Sequence, residues 1–224
     1  MSAAYAGLTV HVLGSDAGIT AAFNGGTHMP LEDAAMYLSI PETTVLDPAD
    51  YDQLASITRQ LVNIDKGVTY TRFVRKGIIQ VYGEGSEFEI GKGVVLHESD
   101  KDQATIITSG IMVDESLKAY EALQAEGISV RVIDMFTWKP LDEELVVKPP
   151  RRPVPSSPPR TTTSPAAWAP LWPTALAKNA PTVQEFVGVQ DQFGQVGPQD
   201  FLMDEYGLRA ANIVAAVKKA IARK

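Results

Sequence analysis

Short β-branched runs alternate with helically spaced apolar residues along the first third of the chain. Leu8-Thr9-Val10-His11-Val12-Leu13 reads as a buried strand. A loop from Gly14 to Gly26 follows, and then Leu31, Ala34, Ala35 and Leu38 form an apolar stripe that Pro41 ends. Thr43 to Leu46 is a second strand. Asp47-Pro48 breaks it and opens a helix with Leu54, Ile57 and Leu61 inside. Gly67 separates that helix from a third strand, Val68 to Val74. The order strand–helix–strand–helix–strand predicts a parallel, doubly wound α/β sheet, in which ligands meet the loops at the carboxyl ends of strands.

The pattern lapses from Ile78 to Glu89, a glycine- and charge-bearing connector that marks a boundary. The predicted division is 1–77, a linker at 78–92, and a second α/β unit at 93–224. In that unit Gly93 to His97, Ala104 to Thr108, Val130 to Met135 and Thr182 to Val189 read as strands. Met112 to Glu126 is a helix with Val113, Leu117, Tyr120 and Leu123 inside and Gly127 as its stop. Leu208 to Ile221 closes the chain as an amphipathic helix; its basic end, Lys218, Lys219, Arg223 and Lys224, reads as a solvated helix terminus.

Composition narrows the class. The 224 residues suffice for one large or two small domains, and 45% hydrophobic residues support a core. The net charge of −7 without a basic stripe argues against nucleic-acid or membrane-surface binding. With no cysteine there is neither a disulfide nor a thiolate metal site. No stretch has the length of a transmembrane helix, and Met1-Ser2-Ala3-Ala4-Tyr5 lacks the features of a signal peptide, so a cytoplasmic location is expected.

Candidate chemistry concentrates at Asn24-Gly25-Gly26-Thr27-His28-Met29-Pro30-Leu31-Glu32-Asp33. Paired glycines permit unusual backbone angles, Pro30 suits a first helical turn, and Glu32 and Asp33 suit the positive end of a helix dipole. His28 at this junction reads equally as an imidazole meeting an anionic or hydroxylated ligand and as a turn-capping histidine. His11, inside a strand, reads as structural. Arg72 near the end of the third strand could converge on the same mouth as His28; in isolation it reads as a surface arginine or one arm of an internal salt bridge.

The stretch GITAAFNGGTHMPLEDAAM resembles the Gly-x-Thr-His loop of the transketolase family. Thr44 to Asp50, Tyr70-Thr71-Arg72 and Thr137-Trp138-Lys139-Pro140-Leu141-Asp142 continue the likeness in the family's order. The resemblance covers nearly the whole chain and the C-terminal part of a full transketolase. It implies an incomplete thiamine-diphosphate pyrimidine-type domain followed by a transketolase C-terminal-type domain. It also implies transfer of a two-carbon ketol unit between sugar phosphates, as in the pentose phosphate pathway. His28 would serve catalysis and Arg72 would hold the phosphate, with Asn24, Thr27 and Asp16 binding substrate. The family has Glu-Asp where Phe23-Asn24 stand, and often histidine at the place of Asp16. Thiamine diphosphate and Mg²⁺ would be held by an N-terminal domain and upstream residues outside this chain. The expected partner is therefore an N-terminal transketolase subunit, in an assembled homodimer, and the chain alone should not catalyse. 1-Deoxyxylulose-5-phosphate synthase and 2-oxo-acid dehydrogenase beta subunits share the architecture; a non-catalytic interaction module is the alternative of another class.

Pro149 to Thr174 departs from both pattern and family. Its prolines exclude helix and central strand, which leaves a proline-rich linker as one reading. The favoured reading is a frameshift. With permitted codons, slipping back one base turns residues 149–164 into Ala-Ala-Lys-Glu-Thr-Gly-Ala-Ile-Val-Thr-Ala-Glu-Asn-His-Asn-Ile. Residues 165–174 become Thr-Gly-Gly-Leu-Gly-Ser-Ala-Val-Ala-Asp, and the frame rejoins at Ala175. The recovered text carries the strand and the Glu-Asn-His-Asn-Ile turn that transketolases place there. The tract as it stands is expected to form no regular element, with Trp168 and Trp172 either exposed or plugging the vacated space.

Overall fold

Three strands of the first half form where the β-branched runs lie: β1 (Val10–Ser15), β2 (Thr44–Leu46) and β3 (Val68–Phe73). The computed structural model describes residues 1–74, 78–147 and 171–223. β3 lies between β1 and β2 and is parallel to both, with Val10 opposite Val68 and Leu46 opposite Thr71. A short helix, α1 (Ser2–Tyr5), precedes β1. Between β2 and β3 runs α3 (Tyr51–Leu61), started by Asp50, whose side chain accepts the Gln53 N–H at 2.9 Å. Ile57 and Leu61 of this helix bury against Leu46 and Phe136.

The first-unit loop is more ordered than expected. Gly18–Asn24 and Gly26–His28 form 3₁₀ turns. The helix expected to start at Pro30 instead begins three residues later as α2 (Asp33–Leu38). The Pro30 carbonyl accepts from Arg72 Nη2, and Met29 is extended, so the chain cannot yet wind.

The second half contributes β4 (Val94–His97), β5 (Ala104–Thr108), α4 (Met112–Ala125), β6 (Val130–Asp134), β7 (Thr137–Lys139) and α5 (Glu143–Val147). After residue 170 come α6 (Leu171–Asn179), α7 (Gln199–Glu205) and α8 (Ala210–Ala222). The second sheet has the order β4-β6-β5, with β5 and β6 parallel and β4 antiparallel to β6. β4 runs antiparallel because residues 98–103 alone join it to β5. That is too short for a parallel crossover.

β7 does not extend the second sheet. It returns to the first, pairing antiparallel with β2. Lys139 Nζ then donates to the carbonyls of Leu38 and Ile40 at the end of α2. Tyr70, Val45 and Leu38 of the first half bury with Ile133, Trp138 and Trp172 of the second in one cluster. Another cluster joins Ile106, Val132, Leu123 and Val217 around the second sheet with Ile19 and Met29 of the first-unit loop.

Two further expectations are corrected. Thr182 to Val189 forms no ladder with a described strand. Val187 and Val189 are buried in the core as irregular chain, since an apolar run reports burial and not pairing. Of the tract 149–174, residues 149–170, with Trp168, lie outside the described residues. Residues 171–174 are helical, contrary to expectation, because Pro173 falls in the first turn of α6, where a missing N–H is tolerated. Trp172 is fully buried edge-to-face against Trp138, with ring centroids 5.9 Å apart.

Candidate functional site

The carboxyl ends of β1, β2, β3 and β5 meet around a cavity of about 910 Å³. Thr27 and His28 enter it from the second 3₁₀ turn and Arg72 from the end of β3. His28 is exposed, and its Nδ1 lies 2.9 Å from Thr27 Oγ1. Asp16 and Asn24 stand outside the lining, although Ser15 and Ala17, which flank Asp16, belong to it. Asp16 is buried with φ 60, a conformation few non-glycine residues adopt. Asn24 is exposed at the end of the first 3₁₀ turn.

Arg72 is 7% exposed and engaged on several sides. Its Nε lies 3.2 Å from Asp33 Oδ2 and 4.0 Å from Asp47 Oδ1, and Nη2 donates to the Pro30 carbonyl at 3.3 Å. The Nε contacts are ionic and lack hydrogen-bond alignment. The guanidinium also lies over the Trp138 ring, 5.4 Å from its centroid. Both readings of this arginine thus coincide in one place: it forms an internal ion pair and it lines the cavity.

The two carboxylates are themselves fixed. The Tyr70 hydroxyl donates to Asp33 Oδ2 at 2.5 Å, and burial beside that carboxylate pushes the phenol pKa up. Ser109, just past β5, donates to Asp47 Oδ2 at 2.7 Å and accepts from Trp138 Nε1 at 2.9 Å. The Asp47 backbone donates to Phe136 O and accepts from the Gly110 N–H. Gly110 has φ +54, and a Cβ there would sit 2.6 Å from the Asp47 carboxylate, so only glycine allows this approach. Burial raises the Asp47 carboxyl pKa against the pull of Arg72 and Ser109.

Behind this layer lies Asp134, fully buried at the end of β6. Its Oδ2 accepts from Gln53 Nε2 at 2.8 Å and from the Tyr82 hydroxyl at 2.7 Å. Burial, only partly offset by these donors, pushes its carboxyl up to about 7.

The second half also forms part of the cavity wall through residues 189–194. Gly194 and Gly26 pack so closely that a Cβ on Gly26 would lie 2.2 Å from the Gly194 carbonyl oxygen. Of the residues singled out in the sequence, His28, Thr27 and Arg72 line the cavity; Asp47, Ser109 and the 190–192 rim line it too without having been singled out for a site. In the sequence Asp47 reads as a helix opener within the Thr44 to Asp50 likeness; Ser109 follows a strand and so occupies a position that ligand loops use.

Two family models match the chain. Residues 1–78 match the transketolase pyrimidine binding domain and residues 91–213 the transketolase C-terminal domain. The chain is 39% identical over 227 residues to the 6-deoxy-6-sulfo-D-fructose transketolase subunit SqwH of Clostridium sp. (strain MSTE9), covering 100% of itself and 69% of that protein. It is 35% identical over 138 residues to the transketolase of Homo sapiens, covering 62% of itself and 22% of that protein. A solved structure described as a split gene transketolase, inactive beta4 tetramer, superposes with TM-score 0.80 at 32% identity, covering 97% of this chain and 68% of that one. The two family-model matches and the identity with the Clostridium subunit make this chain a member of the transketolase family.

Proposed function

We propose that this chain is the C-terminal portion of a transketolase. It would transfer a two-carbon ketol unit between sugars on thiamine diphosphate and require an N-terminal partner subunit for activity. Residues 1–77 and 93–224 act as two units joined by 78–92. The observation that carries the reading is the joint presence of His28, Thr27 and Arg72 on one cavity at the carboxyl ends of the first sheet.

Among the described residues no group of three or more His, Cys, Asp or Glu could hold a metal ion. The Mg²⁺ and diphosphate contacts are assigned to the N-terminal partner. When bound, the cofactor supplies the ylid and the electron sink. This chain's residues bind, orient and exchange protons with the sugar. His28, exposed on a loop with one nitrogen against Thr27, can donate to or accept from a substrate hydroxyl through the other. Arg72 offers a planar guanidinium to the anionic end of the sugar; Asp16, between the lining residues Ser15 and Ala17, and Asn24, just ahead of the lining residue Gly26, are the further substrate-binding candidates. Sugar phosphates are one candidate substrate class, and the sulfofructose named for the Clostridium relative makes a sulfonated ketose another.

The test is complementation with an N-terminal transketolase subunit in the presence of thiamine diphosphate and Mg²⁺. Ketol transfer is expected in the mixture and not with either part alone. His28→Ala should lower kcat by about a hundredfold, the lower range for a general acid–base group. Arg72→Ala should chiefly raise KM for donors carrying an anionic group. Turnover by the isolated chain, or unchanged kinetics in both variants, would overturn the reading.

A further inference from the structure

We infer that the anionic head accepted at Arg72 carries a single negative charge, as a sulfonate does, and that Asp47 sets this preference over a dianionic phosphate. The inference rests on the reading of Arg72 as the anion-binding group.

Charge on the cavity wall is the first support. Arg72 is the one permanent cation among the described lining residues, whereas Glu32, Asp47 and Asp191 contribute carboxylates. A receptor built for a dianion gathers several cations or oriented donors. Among the described lining residues one guanidinium stands among three carboxylates, with Thr27, His28, Gln190 and Gln192 among the polar neighbours.

The arginine's own charge is the second. It is shared with Asp33 at 3.2 Å and Asp47 at 4.0 Å, and Nη2 is given to the Pro30 carbonyl. Nη1 is the nitrogen that none of these contacts engages. A guanidinium so compensated retains little excess positive field, and each further negative charge on a ligand meets the repulsion of both carboxylates at low dielectric.

Rigidity is the third. Asp33 is tied by Tyr70, and Asp47 by Ser109, Gly110 and Phe136. Neither acid can swing aside for an incoming anion without breaking a buried hydrogen bond. Sulfonate and phosphate monoester heads have the same tetrahedral shape with three terminal oxygens, so shape cannot separate them. Near neutral pH their charge differs, and discrimination falls to the repulsive element. Asp47 is that element, since it touches Arg72, lines the cavity and is held from the second unit.

The experiment titrates the full chain calorimetrically at low ionic strength and neutral pH with three matched probes: 2,3-dihydroxypropane-1-sulfonate, glycerol 3-phosphate and uncharged glycerol. The sulfonate is expected to bind at least about tenfold more tightly than the phosphate, with glycerol weaker than the sulfonate. In Asp47→Asn the phosphate should gain about tenfold and the preference should narrow. Equal or tighter phosphate binding by the wild-type chain overturns the proposal, and this comparison needs no variant. A folded Asp47→Asn with an unchanged ratio also overturns it. Arg72→Ala separates the underlying reading: it should abolish binding of both anions. Unaltered binding in that variant, or no binding of either anion by the wild type, removes Arg72 as the anion site and the selectivity with it. Arginine-dependent binding without a preference removes the selectivity alone.

Discussion

A buried acid such as Asp134 ties the stability of the chain to pH. In an unfolded chain its carboxyl ionises near the ordinary value of about 4; in the fold, burial raises it to about 7. Between those values the folded state keeps a proton that the unfolded state has released, so stability falls as pH rises from about 4 to about 7 and then levels. Below both values this penalty is absent. Asp134→Asn should flatten that fall by roughly a few kcal/mol and bring the variant's melting temperature at pH 8 to or above that of the wild type. Thermal melts across the range check it, and an unchanged slope would contradict the assignment. The convergence of His28 and Arg72 was legible in the sequence because a loop after one strand and the end of another share the mouth of a parallel sheet; Thr27, and a ligand role for Arg72, came only from the family likeness. Asp47 and Ser109 were not legible, because their hydrogen bond spans 62 positions and exists only once the two units have packed. Asp134 looked like the ordinary end of a strand.

At the scale of elements, periodicity located most helices and strands to within a few residues, but not their partners. The β7 segment shows a family motif in the sequence but no strand signal, since three residues are too few for a period to declare itself. Its Lys139 satisfies two carbonyls at the end of α2, so Lys139→Ala should cost roughly 1–2 kcal/mol in denaturant unfolding. α6 gives a sharper test of the frameshift reading. Trp172 is buried, yet its indole N–H finds no partner among the described residues, unusual for a native tryptophan. Restoring the recovered text across 149–174 replaces Leu-Trp-Pro-Thr at the start of α6 with Ala-Val-Ala-Asp. It trades an edge-to-face ring contact for better helix formers. The restored chain should melt higher and be more soluble in side-by-side expression. If the proline-bearing chain is the more stable, the tract is native.

For the whole molecule, two sheets were foreseen, but not the degree to which they share one interior. The cluster that holds Val45, Tyr70, Ile133, Trp138 and Trp172 draws on both halves, and the Asp47 backbone bonds Gly110 and Phe136, just past the ends of β5 and β6. Heating should therefore give one transition, with tryptophan fluorescence and far-UV circular dichroism coincident; two separated transitions would mean the units melt independently. Among the described residues no helix is long and apolar enough to cross a membrane.

The return of β7 to β2 bears on how the chain is made. During synthesis the first sheet emerges early, but the β2 edge that β7 will cover stays open until Thr137–Lys139 leaves the ribosome. Over that interval the nascent chain presents a bare strand to whatever is nearby, and pausing within the intervening stretch would lengthen the exposure. A factor that shields nascent strands would thus have its window between the synthesis of Leu46 and that of Thr137.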